Sequence, residues 1–170
     1  GDIVVILNND CMLMPGWDDL CKAEMNKNQL DIFTPFIIEP HMLKNYNENV
    51  FWEGEQNWNY YLKKNRGRIC KGIFGGVVFM ARKEVYAQIG PFDPKFWLSL
   101  DDMDYIYRAL TMGLRAGITG NMIGFHLGSA TRKEMNVNEQ IANDYFEQKW
   151  GWNFSKQEHT FFNKNFYIFF

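Results

Sequence analysis

The sequence predicts an α/β fold, a mixed and mostly parallel sheet flanked by helices, and three features carry that expectation. Ile3-Val4-Val5-Ile6-Leu7 is an unbroken apolar, largely β-branched run, the mark of a strand covered on both faces. Pro15-Gly16 then opens a helix after a polar loop, so the chain begins with a strand-loop-helix unit. Further on, Gly72 to Met80 reads as another strand, and helices follow it from Arg82 and from Asp101.

At 170 residues the chain suits one domain with a substantial core. Apolar residues make up 46% and aromatics 17%, which excludes intrinsic disorder and leaves aromatic surface over for binding. A net charge of −2 argues against a nucleic-acid partner, because phosphate backbones call for a basic face. Cys11, Cys21 and Cys70 are odd in number and lack paired metal-ligand spacing, which argues against a disulfide framework or zinc knuckle and points to a reducing, cytoplasmic setting. No apolar run approaches the roughly 20 residues of a bilayer span, which leaves peripheral association as the membrane contact to consider. The chain lacks an initiator Met and enters its first strand by the third residue, so it reads as a piece of a longer protein.

Taken in order, the first strand ends in Asn8-Asn9-Asp10, and Asp10 thereby stands where open α/β sheets bind ligands. A turn role is the commoner fate of a lone Asp at that place. A helix over about 17–25 mixes apolar and polar faces, and Asp31-Ile32-Phe33-Thr34 is a short strand stopped by Pro35. Within the polar and aromatic stretch that follows, 53–64 reads as a helix. Its Trp58, Tyr60 and Tyr61 suit stacking on the apolar faces of sugars, against the commoner alternative of docking into the core. The paired Gly75 and Gly76 let the backbone approach something closely. Gly90 closes the helix from Arg82, and Pro91-Phe92-Asp93-Pro94 turns the chain into the next one. Residues 115–119 and 121–125 are short strand candidates separated by Gly120, and the second runs into His126, either a hydrogen-bonded structural histidine or, with acids beside it, a metal ligand. A last helix over 138–150 ends at Gly151. Residues 1–151 thus read as the domain and 152–170 as an aromatic-rich tail of unassigned role.

The stretch Ser99-Leu100-Asp101-Asp102-Met103-Asp104 crowds three carboxylates into the first turn of a helix whose Met103, Ile106, Tyr107 and Leu110 share one face. One Asp can cap the helix and the others can complement its dipole, at roughly 0.3 to 1 kcal/mol each. Capping needs only one of them. Adjacent like charges oppose each other's ionisation, and such a cluster can hold one carboxyl at the raised pKa of a general base.

In this order and spacing the blocks resemble the family 2 glycosyltransferases of the GT-A fold, inverting enzymes of carbohydrate biosynthesis that move a sugar from a nucleotide-diphosphate sugar to an acceptor hydroxyl. The likeness rests on Asn8-Asn9-Asp10 with Pro15-Gly16-Trp17, on Gly75-Gly76 through Phe92-Asp93, on Asp101-Asp102-Met103-Asp104 with Tyr107-Arg108, and on His126-Leu127-Gly128-Ser129 with Tyr145 to Gly151. Asn8 replaces the first acid of the metal motif, Asp101 replaces the more usual Glu, and the family's N-terminal nucleotide-binding strands have no counterpart before Gly1. The resemblance implies a partial GT-A domain that holds Mn²⁺ or Mg²⁺ on Asp10 and His126, the imidazole favouring Mn²⁺. It implies donor contacts from Asn8 and Asn9, and from Arg132 and Lys133 where these are not simply solvated. Asp102, with Asp101 beside it, is implied as catalytic base, and Gly75, Gly76, Trp58 and Tyr61 as the acceptor side. The rival expectation is a catalytically incomplete copy that binds a glycan or a protein.

Overall fold

A computed structural model describes residues 1–40, 55–96, 99–127 and 139–154. Within them one sheet contains β1 (Ile3–Leu7), β2 (Cys11–Leu13), β3 (Ile32–Ile38), β4 (Ile69–Lys71), β5 (Val78–Arg82) and β6 (Ala116–His126). The helices are α1 (Trp17–Lys27), α2 (Glu55–Asn65), α3 (Lys83–Ile89), α4 (Asp101–Thr111) and α5 (Glu139–Trp150). The strand order is β1-β5-β3-β6-β2, with β4 also paired to β6.

The mostly parallel GT-A sheet expected from the sequence is not what forms. β5 is antiparallel to both β1 and β3, and β2 and β4 are both antiparallel to β6, which leaves β3 with β6 as the parallel pair among the described residues. β1 and β2 stand at opposite ends of the order yet are joined only by Asn8-Asn9-Asp10, so the sheet curls until it is nearly closed into a barrel. The apolar run of β1 reports burial, not strand direction, and even the burial is one-sided. β1 is an edge strand with Val4 and Ile6 each 38% exposed.

Two local expectations also change. Pro35 does not stop its strand: β3 continues to Ile38 through a register shift between Pro35 and Phe36. Beyond Phe33, β3 has no β5 partner, so the missing N–H of proline costs no ladder bond on that side. Gly120 likewise does not divide β6. In the β3 register Thr119 lies opposite Pro35 and Ile123 opposite Phe36, and the residues between form the bulge. A Cβ on Gly120 would stand 2.1 Å from the carbonyl oxygen of Asn65, so glycine there permits a close backbone approach.

Alternate residues of the central strands feed opposite faces. Phe33, Val78, Met80 and Met122 pack with Cys21 and Met25 of α1. Ile32, Phe79, Ala81, Ile123 and Phe125 pack on the other face with Trp58 of α2, Tyr105 and Ile106 of α4 and Phe146 of α5. Fully buried side chains of this size contribute about 1.5–3 kcal/mol each, so this packing fixes the strand ends from which the polar residues project.

Candidate functional site

β1, β3 and β6 point the same way: β5 runs against both β1 and β3, while β3 and β6 are parallel. Their carboxyl ends therefore share one rim, even though β1 and β3 are not neighbours. Asp10 follows β1, Glu39 follows β3, and His126 ends β6. Cys11 is registered opposite His126 on one side, and Ile38 opposite Phe125 on the other. Each neighbouring strand thus delivers a carboxylate to the imidazole. Nε2 of His126 lies 3.3 Å from Oδ1 of Asp10, and Nδ1 lies 3.4 Å from Oε1 of Glu39. The His126 side chain is only 12% exposed, and Leu127 donates its N–H to the Asp10 carbonyl at 3.0 Å. The sequence reading missed Glu39. Its signal was a strand-end position like that of Asp10, hidden because the strand was expected to stop at Pro35.

Asp102 belongs to the same rim. Val77 accepts the Asn8 N–H at 3.0 Å, and the adjacent Gly76 donates its N–H to Oδ2 of Asp102 at 2.7 Å. The N–H of Met103 reaches Oδ1 of Asp102 at 2.8 Å. The N-cap position of α4 is Leu100, in a left-handed conformation at φ 61° and without a side-chain cap. The acids therefore enter the first turn inside the helix, and none caps it at that position. A non-glycine residue in this conformation costs about 1–3 kcal/mol, sustained here by the partial burial of Leu100 against the core. Asp101 is partly buried beside Asp102.

Asp104 faces away from that rim. It is wholly buried and accepts from Arg108 Nε at 3.1 Å and Trp150 Nε1 at 2.9 Å, with Lys149 Nζ at 2.8 Å. Lys149 also donates to Oδ2 of Asp93 at 2.7 Å, and Tyr145 donates its hydroxyl to the same oxygen at 3.0 Å. The hydrogen bond from Lys149 draws the Asp93 carboxyl down to about 2 against its burial. Burial lowers the Lys149 pKa, but hydrogen bonds to Asp104 and Asp93 outweigh it and the net shift is upward. Two cations thus compensate Asp104, so the cluster does not present three bare charges. The Asp104–Arg108 pair was legible as an i,i+4 spacing; its partners on α5 were not.

The remaining expected site residues divide. Asn8 and Asn9 are exposed on the loop before Asp10. Gly75 has open space where a Cβ would stand, whereas Gly76 is pressed against Asp102 and Phe79. Trp58 is 6% exposed and meets Phe125 edge-on at 4.4 Å, which takes its faces away from any sugar. Tyr61 is partly buried and stacks at 6.2 Å on Phe36, while its neighbour Tyr60 is 61% exposed. Arg132 and Lys133 lie outside the described residues.

Chemically, the rim offers an imidazole between two carboxylates and a third carboxylate oriented by backbone N–H groups. Burial, with the Asp10 charge beside it, pushes the Cys11 thiol up to about 12, which disfavours its thiolate. Among the described residues no helix is long and apolar enough to cross a membrane, and no three His, Cys, Asp or Glu side chains converge as a complete metal cage. A scan against protein-family models finds no match, and a search of curated proteins finds none.

Proposed function

We propose that the chain carries the metal and acceptor side of an inverting glycosyltransferase, which moves a sugar from a nucleotide-diphosphate sugar to an acceptor hydroxyl. The observation that carries this reading is the 3.3 Å approach of Asp10 Oδ1 to His126 Nε2, on the rim that also holds Asp102. A hard carboxylate oxygen and an imidazole nitrogen at that separation are close enough to reach one divalent ion. Mn²⁺ suits this donor pair better than Mg²⁺. Two protein ligands suffice where donor phosphates and water complete the coordination. The activity is argued from these residues and not from the sheet that bears them.

When bound, the ion supplies Lewis-acid stabilisation of the charge that grows on the leaving nucleotide diphosphate. Asp10 and His126 would hold it, and the exposed Asn8 and Asn9 would border the donor side. Asp102, its orientation set by the N–H groups of Gly76 and Met103, takes the proton of the acceptor hydroxyl. The freed oxygen bonds to the anomeric carbon as the bond from that carbon to the diphosphate oxygen breaks on the opposite face. One displacement inverts the centre.

A second reading, a non-catalytic module that binds a glycan or a protein, draws support from the same Asp102. Both of its oxygens already accept backbone N–H bonds, as a purely structural brace would. Mn²⁺-dependent binding of uridine and guanosine diphosphate sugars, measured with the family's nucleotide-binding strands supplied, tests the metal part of the proposal. Asp10→Ala should abolish it and Asn8→Ala should weaken it less. Equal harm from both substitutions, or transfer that survives chelation, would overturn the assignment.

A further inference from the structure

We infer that Glu39 is the positioning residue that orients His126 as a metal ligand, through the hydrogen bond its carboxylate accepts at Nδ1. The inference rests on the metal reading above. Its starting point is a matter of donors and acceptors: a carboxylate can only accept, and His126 has one on each ring nitrogen. To bind a metal the imidazole must be neutral, with a single N–H, so in that form it can satisfy one of the two. A proton on Nδ1 serves Glu39 and leaves the lone pair of Nε2 directed toward Asp10, the donor arrangement a shared cation requires. A proton on Nε2 would serve Asp10 and leave no lone pair there for a metal.

Glu39 cannot be a third ligand of the same ion, because it meets the nitrogen on the far side of the ring. That agrees with the absence of a converging three-residue group among the described residues. Histidine ligands commonly donate their second N–H to a carboxylate, which sets ring orientation and raises ligand basicity. Here the fold supplies that partner through the parallel register of β3 with β6. Ile38 pairs with Phe125, so the next residue on each strand is Glu39 and His126. The register shift between Pro35 and Phe36 is what sets this pairing, since without it a different residue would stand beside the imidazole.

Two measurements on the folded protein test the inference. Free Mn²⁺ followed by electron paramagnetic resonance gives metal affinity, and ¹⁵N chemical shifts of the neutral His126 ring in the metal-free protein give its tautomer. Glu39→Ala should lower Mn²⁺ affinity by about 10- to 100-fold, the usual cost of losing an outer carboxylate partner. It should also move the ring from the Nδ1–H form toward Nε2–H, with the melting transition retained. Unchanged affinity, or an unchanged tautomer, would overturn the role of Glu39. If the wild-type chain takes up no Mn²⁺, the metal reading falls and this inference with it. If the wild type binds and Glu39→Ala binds equally well, only the inference falls.

Discussion

Gly76 and Asp102 are interlocked: the glycine N–H meets Oδ2 of the acid at 2.7 Å, and a Cβ on the glycine would stand 2.2 Å from the acid's own Cβ. The same Cβ would also press on the Phe79 ring at 2.8 Å. No other residue fits without moving the first turn of α4 or a fully packed aromatic. Gly76→Ala should therefore destabilise the protein by about 1–3 kcal/mol, the ordinary cost of overpacking, and loosen Asp102. Gly75→Ala, which meets nothing within 4 Å, is the control. Urea denaturation of both variants checks this, and equal small losses would refute the interlock.

Asp104 should prove the most costly of the three clustered acids to alter. Removing its charge leaves Arg108 and Lys149 facing each other's field in a nearly closed space. Breaking a buried pair typically costs 3–5 kcal/mol, and about 3 is expected here because Arg108 and Lys149 retain 16% and 24% exposure. Melting of Asp104→Asn beside Asp101→Asn measures the difference. A milder effect at Asp104 than at Asp101 would show that the network contributes little.

Acid should weaken the fold partly through Asp93. Its pKa falls from the usual 3.8 to about 2 when folded, chiefly through the Lys149 hydrogen bond. A group depressed in this way contributes stability that is present above its unfolded value and lost as pH falls through the folded one. The window is roughly pH 5 to 2. Asp31, lowered by its hydrogen bond to Arg115, titrates on the same side. Asp93→Asn should be less stable than wild type at neutral pH, and the gap should close toward pH 2. Melting temperatures across that range decide, and a gap independent of pH would rule out this linkage.

How far the sequence could be read depended on whether the deciding contact was local. The strand at Ile3–Leu7, the helix closed by Gly90 and the acidic first turn follow from periodicity and punctuation within a few residues. The direction of β5 does not, because its return between β1 and β3 depends on long-range pairing that no local pattern records. Pro35 and Gly120 read locally as breaks. The first is tolerated because β3 lacks a β5 partner there, and the second because the Asn65 carbonyl presses on it. Asp10 and His126 were visible through strand-end position, while Glu39 was concealed by the misplaced end of β3. Trp58 illustrates a limit of a different kind: an aromatic on an amphipathic helix can serve as a sugar platform, though core is its commoner fate, and Phe125 seen against it shows the core packing.

The two functional readings part at Asp102→Asn. As a brace, Asp102 uses its oxygens as acceptors for two backbone N–H groups, and Asn keeps one acceptor oxygen with nearly the same shape. Stability should therefore fall by about 1.5–3 kcal/mol under either reading, the worth of one hydrogen bond to a charged group. Chemistry separates them. A base must receive a proton, and the Asn amide cannot do so near neutral pH, so the transfer rate should fall by about 10²- to 10⁴-fold. Mn²⁺-dependent donor binding should persist, because the substitution leaves Asp10 and His126 themselves in place. Transfer rate, donor affinity and melting temperature are to be measured together on one preparation in which the nucleotide-binding strands are supplied. A slow, folded, donor-binding variant is the expected result. A variant that transfers at the wild-type rate would return Asp102 to the brace and move the search for the base to Asp101, which sits beside it in the same helical turn.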